Sequence, residues 1–326
     1  MVRILATRGH TVLDDMAVER LPELLAEAET RVWVDMSGPL DEQSQRVVSD
    51  IFHFHPLAVE DCFAERERPK IESYGSYLYC ITHGMSPTSN AEDHDIIELD
   101  AFLGERYLVT YHAKDSRSVE AVFQLVRRSG EPLRQGPAAL LQTILDRQVD
   151  GIEPVLDDFE QRLSDLEERV LLKARGEDLV SLLAMRRNIL YLRRWLSLQR
   201  DVVLRLARQE FNLVSPTDAL HFRDTHDHLA RLTELLETYR ELTNSVQEAY
   251  LSVINNRLSE NMRYLTLFSA VLLPLGLITG IYGMNFDFMP GLHNHWGFAL
   301  VLLSMGVTTA VVLWFFRRKG WFDKEV

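Results

Sequence analysis

Two apolar runs near the carboxyl end constrain this chain more than any other feature. Residues 265–282 and 297–316 contain no charged side chain. At about 1.5 Å of rise per residue, each crosses most or all of a hydrocarbon core roughly 30 Å thick. Both are therefore predicted as membrane-spanning helices. The connection 286–296 is too short to hold a domain, so the spans form a hairpin with Tyr282-Gly283-Met284-Asn285-Phe286 at its turn.

Before these runs the chain of 326 residues reads as a soluble body, because its apolar material is concentrated at the end. Residues 1–8 lack the apolar core of a signal peptide, so the body is expected to stay on the side where it is made. Arg257, Arg263, Arg317, Arg318, Lys319 and Lys324 flank the open ends of the hairpin, whereas 286–296 holds no Lys or Arg. By the positive-inside rule the loop is external and both termini are cytosolic. Cys62 and Cys80 have no paired spacing, which argues against a disulfide framework or a zinc ribbon. The net charge of -13 argues against a nucleic-acid partner.

The pattern predicts an α+β chain. A cytosolic α/β domain with a mixed sheet is expected over 1–130, then a helical hairpin over 131–215 and a stalk helix over 216–264. The first span (265–285), an external loop (286–296), the second span (297–316) and a basic cytosolic tail (317–326) complete it. Strand-like runs lie at 32–35, 77–81, 96–103 and 107–111, with Gly104-Glu105-Arg106 as a hairpin turn between the last two. Residues 41–54, 56–63 and 116–128 read as helices, with Asp41 and Ser116 as N-caps. Residues 138–172 and 178–208 carry apolar residues at threes and fours; Gly151 and Pro154 kink or split the first, and Gly176 is placed to end it. The carboxylates Asp150, Glu153, Asp157, Asp158, Glu160, Asp165, Glu167 and Glu168 read either as a solvated face or as an acidic collar that concentrates cations.

No Gly or Pro interrupts 217–273, so Pro216 opens a helix expected to continue into the first span. Leu229, Leu232, Leu236, Tyr239, Val246, Tyr250 and Val253 recur near the 3.5-residue period, from which identical helices are expected to bundle around an axis. Further along, Ser259, Met262, Leu265, Ser269, Leu273, Gly276, Gly280 and Gly283 share one helical face. Gly276 and Gly280 make a GxxxG pair, which by itself reads as helix packing.

The Gly283-Met284-Asn285 triplet, with Met289-Pro290-Gly291-Leu292 after it, resembles the CorA family of divalent-cation channels. The resemblance extends to His221-Phe222-Arg223-Asp224, His55-Pro56-Leu57-Ala58-Val59-Glu60-Asp61, Arg68-Pro69-Lys70 and Arg317-Arg318-Lys319-Gly320-Trp321, over nearly the whole chain. It implies a funnel-shaped homopentamer in the inner membrane, with the first span lining a pore. Ser259, Ser269, Gly276 and Gly280 would then face the pore, and Met262, Leu265 and Leu273 would be apolar constrictions that close by dewetting. Gly283, Met284 and Asn285 would form the selectivity filter. Mg²⁺ gives up its waters reluctantly, so a neutral ring of Asn285 carboxamides suits a hydrated ion; Asn285 as a helix C-cap is compatible with that role. Asp61 and Asp224 would hold a regulatory Mg²⁺ between neighbouring cytosolic domains, with Glu60, Asp227 and His228 close in sequence. Arg317, Arg318 and Lys319 would form a basic ring at the inner mouth, or serve as the anchor any such span needs.

The chain departs from the family pattern at Gly291, where a glutamate is common. Asp287 is then the one acidic residue at the outer mouth, followed by His293 and His295, whose imidazoles suit Co²⁺, Ni²⁺ or Zn²⁺ better than Mg²⁺. The expected function is a CorA-type channel for Mg²⁺, or for Co²⁺ or Ni²⁺. The alternatives are a zinc transporter of the same fold, as in the ZntB branch, and a membrane-anchored sensor or scaffold. No P-loop, nucleophile elbow, HExxH or redox CxxC marks an enzyme, and no organic cofactor is expected.

Overall fold

In a computed structural model the chain is described except at residues 15, 65–67, 87–88, 92–94, 285–294 and 322–326. It divides into two compact units, Met1–Gln247 and Glu248–Val326.

The first unit begins with strands β1 (Val2–Arg8) and β2 (Thr11–Leu13), helix α1 (Leu21–Ala26) and strand β3 (Thr30–Ser37). Helix α2 (Glu42–Arg46) runs into a wider π turn at Val47–Ile51, and α3 (Pro56–Phe63) follows. Strands β4 (Lys70–Ser73), β5 (Tyr77–Met85), β6 (Ile96–Gly104) and β7 (Tyr107–His112) complete one sheet in the order β2-β1-β3-β7-β6-β5-β4. The β3–β7 pair is parallel and the others are antiparallel, so the sheet is mixed. A Cβ at Gly104, at the β6–β7 turn, would lie 2.4 Å from the Tyr107 ring, so a larger residue there must displace that ring. The predicted caps form: the Asp41 side chain accepts from the Ser44 N–H, and Ser116 from that of Val119.

Side chains alternate across β3. Val32, Val34 and Met36 join Ile4, Tyr79, Phe102 and Val109 in a core closed by Val47, Val48, Phe54, Ala58 and Cys62. Trp33 and Asp35 belong to the opposite set, where Trp33 packs on Phe123 of α4 (Arg117–Ser129). Asp35 is fully buried yet fully used. It accepts from Arg3 at 2.6 and 3.2 Å and from Thr110 at 2.7 Å, and it lies 3.4 Å from His112 Nε2. A buried carboxylate requires such partners.

Helices α5 (Glu131–Gln135), α6 (Pro137–Asp150), α7 (Glu153–Lys173) and α8 (Gly176–Ala207) come next. The predicted break at Gly151 and Pro154 is a full separation of α6 from α7, with Pro154 in the first turn of α7, where its missing N–H costs nothing. Gly176 does not end the preceding helix. It opens α8, and α7 stops at Lys173 because the extended Arg175 and the Asp178 carboxylate build a new N-cap there.

Helix α9 (Pro216–Tyr282) corrects a second expectation. The seam predicted to join identical helices is occupied within one chain, since Leu229, Leu232, Leu236, Tyr239 and Val246 are buried in a single copy. In the first unit this stretch is tied to its neighbours by Gln142 to Thr225 (3.1 Å), Tyr239 to Glu160 (3.3 Å), Arg193 to Glu237 (2.8 Å) and Arg186 to Gln247 (3.3 Å). A period near 3.5 specifies a helical neighbour without saying whether it comes from the same chain. Of the remaining seam residues Tyr250 is buried and Val253 half-buried. The second unit holds the rest of α9 and α10 (Gly297–Arg318).

Candidate functional site

In the second unit each helix has one half-buried stripe. On α9 it comprises Arg263, Leu267, Ala270, Val271, Pro274, Leu275 and Ile278, and on α10 Val301, Met305, Thr308, Thr309, Val312 and Phe316, both at helical spacing. The two stripes are the sides on which a two-helix unit covers itself. The predicted pore face lies on the other side of α9. Ser259, Met262, Leu265, Ser269, Leu273, Gly276, Gly280 and Gly283 are all exposed, Leu265 by 62% and Leu273 by 73%. Both apolar segments are long and apolar enough to cross a membrane and are uncovered within the chain. Surfaces of this kind need lipid or a second copy, not water.

The glycines on this face differ from one another. A Cβ at Gly276 or Gly280 would meet nothing within 4 Å, so within the hairpin this GxxxG pair makes no close helix contact. At Gly283 a Cβ would lie 2.9 Å from the Thr279 carbonyl oxygen, which also accepts the Gly283 N–H at 2.9 Å. Gly283 therefore closes α9 in a way no other residue reproduces without strain. Met284 follows, half exposed, its N–H on the Ile281 carbonyl at 3.3 Å. Pro274, inside α9, has no N–H to offer the Ala270 carbonyl one turn earlier. Asn285, Asp287, Gly291 and His293 lie outside the described residues; His295 is exposed in the turn before α10.

At the other end of the hairpin Arg317, Arg318 and Lys319 are exposed, with Arg318 over the Trp314 ring at 5.4 Å and Lys319 over Phe315 at 5.8 Å. The polypeptide turns at Gly320 (φ 73°), and Trp321 folds back onto Phe316 with ring centroids 4.6 Å apart.

The first unit carries the two regulatory candidates on different elements. Asp61, on α3, is bound by the Lys70 ammonium of edge strand β4 at 2.5 Å. Asp224 is exposed on α9 beside Asp146 and Asp150 of α6. Desolvation, followed by the charges of Asp150 and Asp224, raises the Asp146 carboxyl above its ordinary pKa, with His228 and the Thr225 hydroxyl opposing. Nothing joins Asp61 to Asp224 within one chain among the described residues, and no three metal-ligating side chains converge there. Of the sequence neighbours, Asp227 pairs with His226 (3.0 Å) and His228 with Glu153 (2.9 Å). Asp146 was not singled out by the sequence. Its one signal was the i,i+4 spacing to Asp150, which is indistinguishable from a solvated face. A cavity of about 850 Å³ between the sheet and α8, lined in part by His83, Glu98 and Trp195, involves none of these residues.

A mixed-sheet unit, a long helix and two uncovered apolar helices, each long enough to cross a membrane, define the architecture of a two-span membrane protein. The chain belongs to the family described as CorA-like Mg2+ transporter protein, whose model matches residues 28–318. YfjQ of Bacillus subtilis (strain 168) is 34% identical over 326 residues, 99% of each chain. The cobalt/magnesium transport protein CorA of Thermotoga maritima is 28% identical, over 90% of this chain and 84% of its own. The zinc transport protein ZntB of Yersinia enterocolitica is 22% identical, over 92% and 90%. The solved structure of the CorA magnesium transporter from Methanocaldococcus jannaschii superposes with a TM-score of 0.84 over 99% of both chains at 24% identity, which establishes the shared fold.

Proposed function

We propose that this divalent metal ion transporter is a homo-oligomeric channel, a pentamer, that carries Mg²⁺ through a pore lined by α9, with both termini in the cytosol and no enzymatic activity. The observation that carries the reading is the stripe from Ser259 to Gly283, exposed on the side of α9 away from the half-buried stripe. A ring of such stripes leaves Gly276, Gly280 and Ser269 to widen the path, with Met262, Leu265 and Leu273 as rings that close by dewetting. Gly283, Met284 and Asn285 form the filter, at which the hydrated ion meets carboxamide oxygens. Arg317, Arg318 and Lys319 surround the inner mouth.

Control by cytosolic Mg²⁺ rests on Asp61 and Asp224 of neighbouring copies. Carboxylate oxygens suit a hard cation, and a cation bound at Asp224 would offset the charges of Asp150 and Asp224 that, after desolvation, raise the Asp146 carboxyl. On Asp61 the ion replaces the Lys70 ammonium, which occupies that carboxylate in the single chain. Loss of the ion restores repulsion between the copies and opens the pore.

Zinc transport is the second reading, favoured by Gly291 in place of an outer glutamate, by His293 and His295, and by the ZntB relative. Ion flux into proteoliposomes, compared for Mg²⁺, Co²⁺, Ni²⁺ and Zn²⁺ with and without a pH gradient, separates the two. Asn285→Ala is expected to abolish selectivity while assembly persists. Selective flux at the parent level in that variant removes Asn285 from the filter.

A further inference from the structure

Arg263 is the one charged residue on the half-buried stripe of α9 named above, and it is bound at the end of α10. Its guanidinium donates to the Gly320 carbonyl at 2.7 Å and stands 5.8 Å from the centroid of the Trp321 ring. The receiving turn is built for it. Gly320 takes a left-handed conformation, the Lys319, Gly320 and Trp321 N–H groups close back on Phe315, Arg317 and Phe316, and the Trp321 ring packs on Phe316. That closure uses the Phe315, Phe316 and Arg317 carbonyls, and the Gly320 carbonyl beyond them accepts from Arg263. Arg263 is also the immediate neighbour of Met262, and successive residues on an α-helix are separated by about 100° around its axis.

We infer that this clasp sets the rotation of α9. Fixing Arg263 against the end of α10 turns Met262, one residue earlier, onto the uncovered face, where the gate requires it. The inference rests on the proposed pore face and makes Arg263 a positioning residue that does not itself touch the ion. A small rotation of the inner end of α9 moves Met262 and Leu265 together off the axis, so the gate is only as tight as the clasp. The end of α10 thereby becomes part of the gating machinery.

The test is disulfide formation between copies of the full chain carrying Met262→Cys in proteoliposomes; Cys62 and Cys80 are buried, so the new thiol is the reporter. The parent Met262→Cys chain is expected to cross-link on oxidation. Adding Arg263→Gln should lower the cross-linked yield about fivefold, as expected when a charge-assisted bond is lost. The same change alone, with Met262 intact, should raise flux at saturating cytosolic Mg²⁺. Arg263→Lys keeps the charge and one donor to Gly320 and should restore both readouts. Trp321→Ala, which leaves the hydrogen bond intact, should fall between them and guards against misfolding of the Gln variant. Equal cross-linking with and without Arg263→Gln overturns the clasp while leaving the pore face standing. A parent that does not cross-link overturns the pore face, and the clasp with it.

Discussion

Gly283→Ala tests the proposed filter at the atom where the backbone of α9 is tightest. The added methyl would sit 2.9 Å from the Thr279 carbonyl oxygen, about half an ångström inside ordinary contact. Backbone that closes a helix end does not yield as a flexible side chain does, so relief requires a shift of the 279–284 turn. Overpacking of this kind costs about 1–3 kcal/mol, and a bias of that size between two arrangements is roughly a 5–150-fold change in population. Flux through the variant in proteoliposomes is therefore expected to fall about tenfold or more, with the oligomer still assembled by size-exclusion chromatography. Gly306→Ala is the matched control in α10, since a Cβ there meets nothing within 4 Å. Alanine exceeds glycine in helix propensity by up to about 1 kcal/mol, so this variant should keep its flux and lose no stability. Parent-level flux from Gly283→Ala, or an equal loss from Gly306→Ala, would refute the steric argument.

Asp224→Ala, alone or with Asp61→Ala, should weaken inhibition by cytosolic Mg²⁺, and Asp146→Asn should do so to a smaller degree. Mg²⁺-dependent protection of the soluble unit from proteolysis reports this, and equal protection in parent and double variant counts against the site. In the sheet, Asp35→Asn leaves Arg3 and His112 facing an uncharged partner and should cost about 3–5 kcal/mol, read by hydrogen exchange in β3. Burial alone would raise the Asp35 pKa, but His112 and Arg3 hold it below its ordinary value; desolvation would lower that of His112, but Asp35 holds it above. The Asp35 contribution is thus complete above about pH 4 and lost as pH falls through its lower folded value. That of His112 is complete below about pH 6.5 and lost as pH rises through its higher one, so protection should peak between them. In the outer loop, Gly291→Glu should raise Mg²⁺ uptake at low external concentration and low salt. His293→Ala with His295→Ala should depress Co²⁺, Ni²⁺ or Zn²⁺ flux alone, and an unchanged ion profile returns both histidines to an ordinary loop.

The sequence was most legible where a physical requirement has one answer. Charge-free runs long enough to cross a bilayer, the caps at Asp41 and Ser116, and the Gly104 hairpin each leave a local signature, and each appears in the structure. Gly176 misled because glycine at a helix boundary does not state which helix it serves, and the Asp178 carboxylate that decides the matter sits two residues further on. Asp146 stayed hidden because its significance is its proximity to Asp224, which comes from a different helix. The Arg263 clasp was also out of reach, since Arg263 and Gly320 are 57 residues apart and each has a simpler reading as an anchor or a cap.

The stalk residues show how one periodic pattern can support the wrong partner. Leu229, Leu232 and Leu236 satisfy a self-association rule, yet they are buried before any second copy is present. Past Glu248 the case reverses: Met262, Leu265 and Leu273 follow helical spacing and remain uncovered in the chain. The seam of the first unit is therefore a folding device, and the uncovered apolar surface of α9 begins beyond it. On the proposed reading, contact between the first units of neighbouring copies falls to polar surfaces such as those carrying Asp61 and Asp224. An interface of that kind is what a bound divalent ion can make or break, because a few facing carboxylates then decide whether the copies attract or repel.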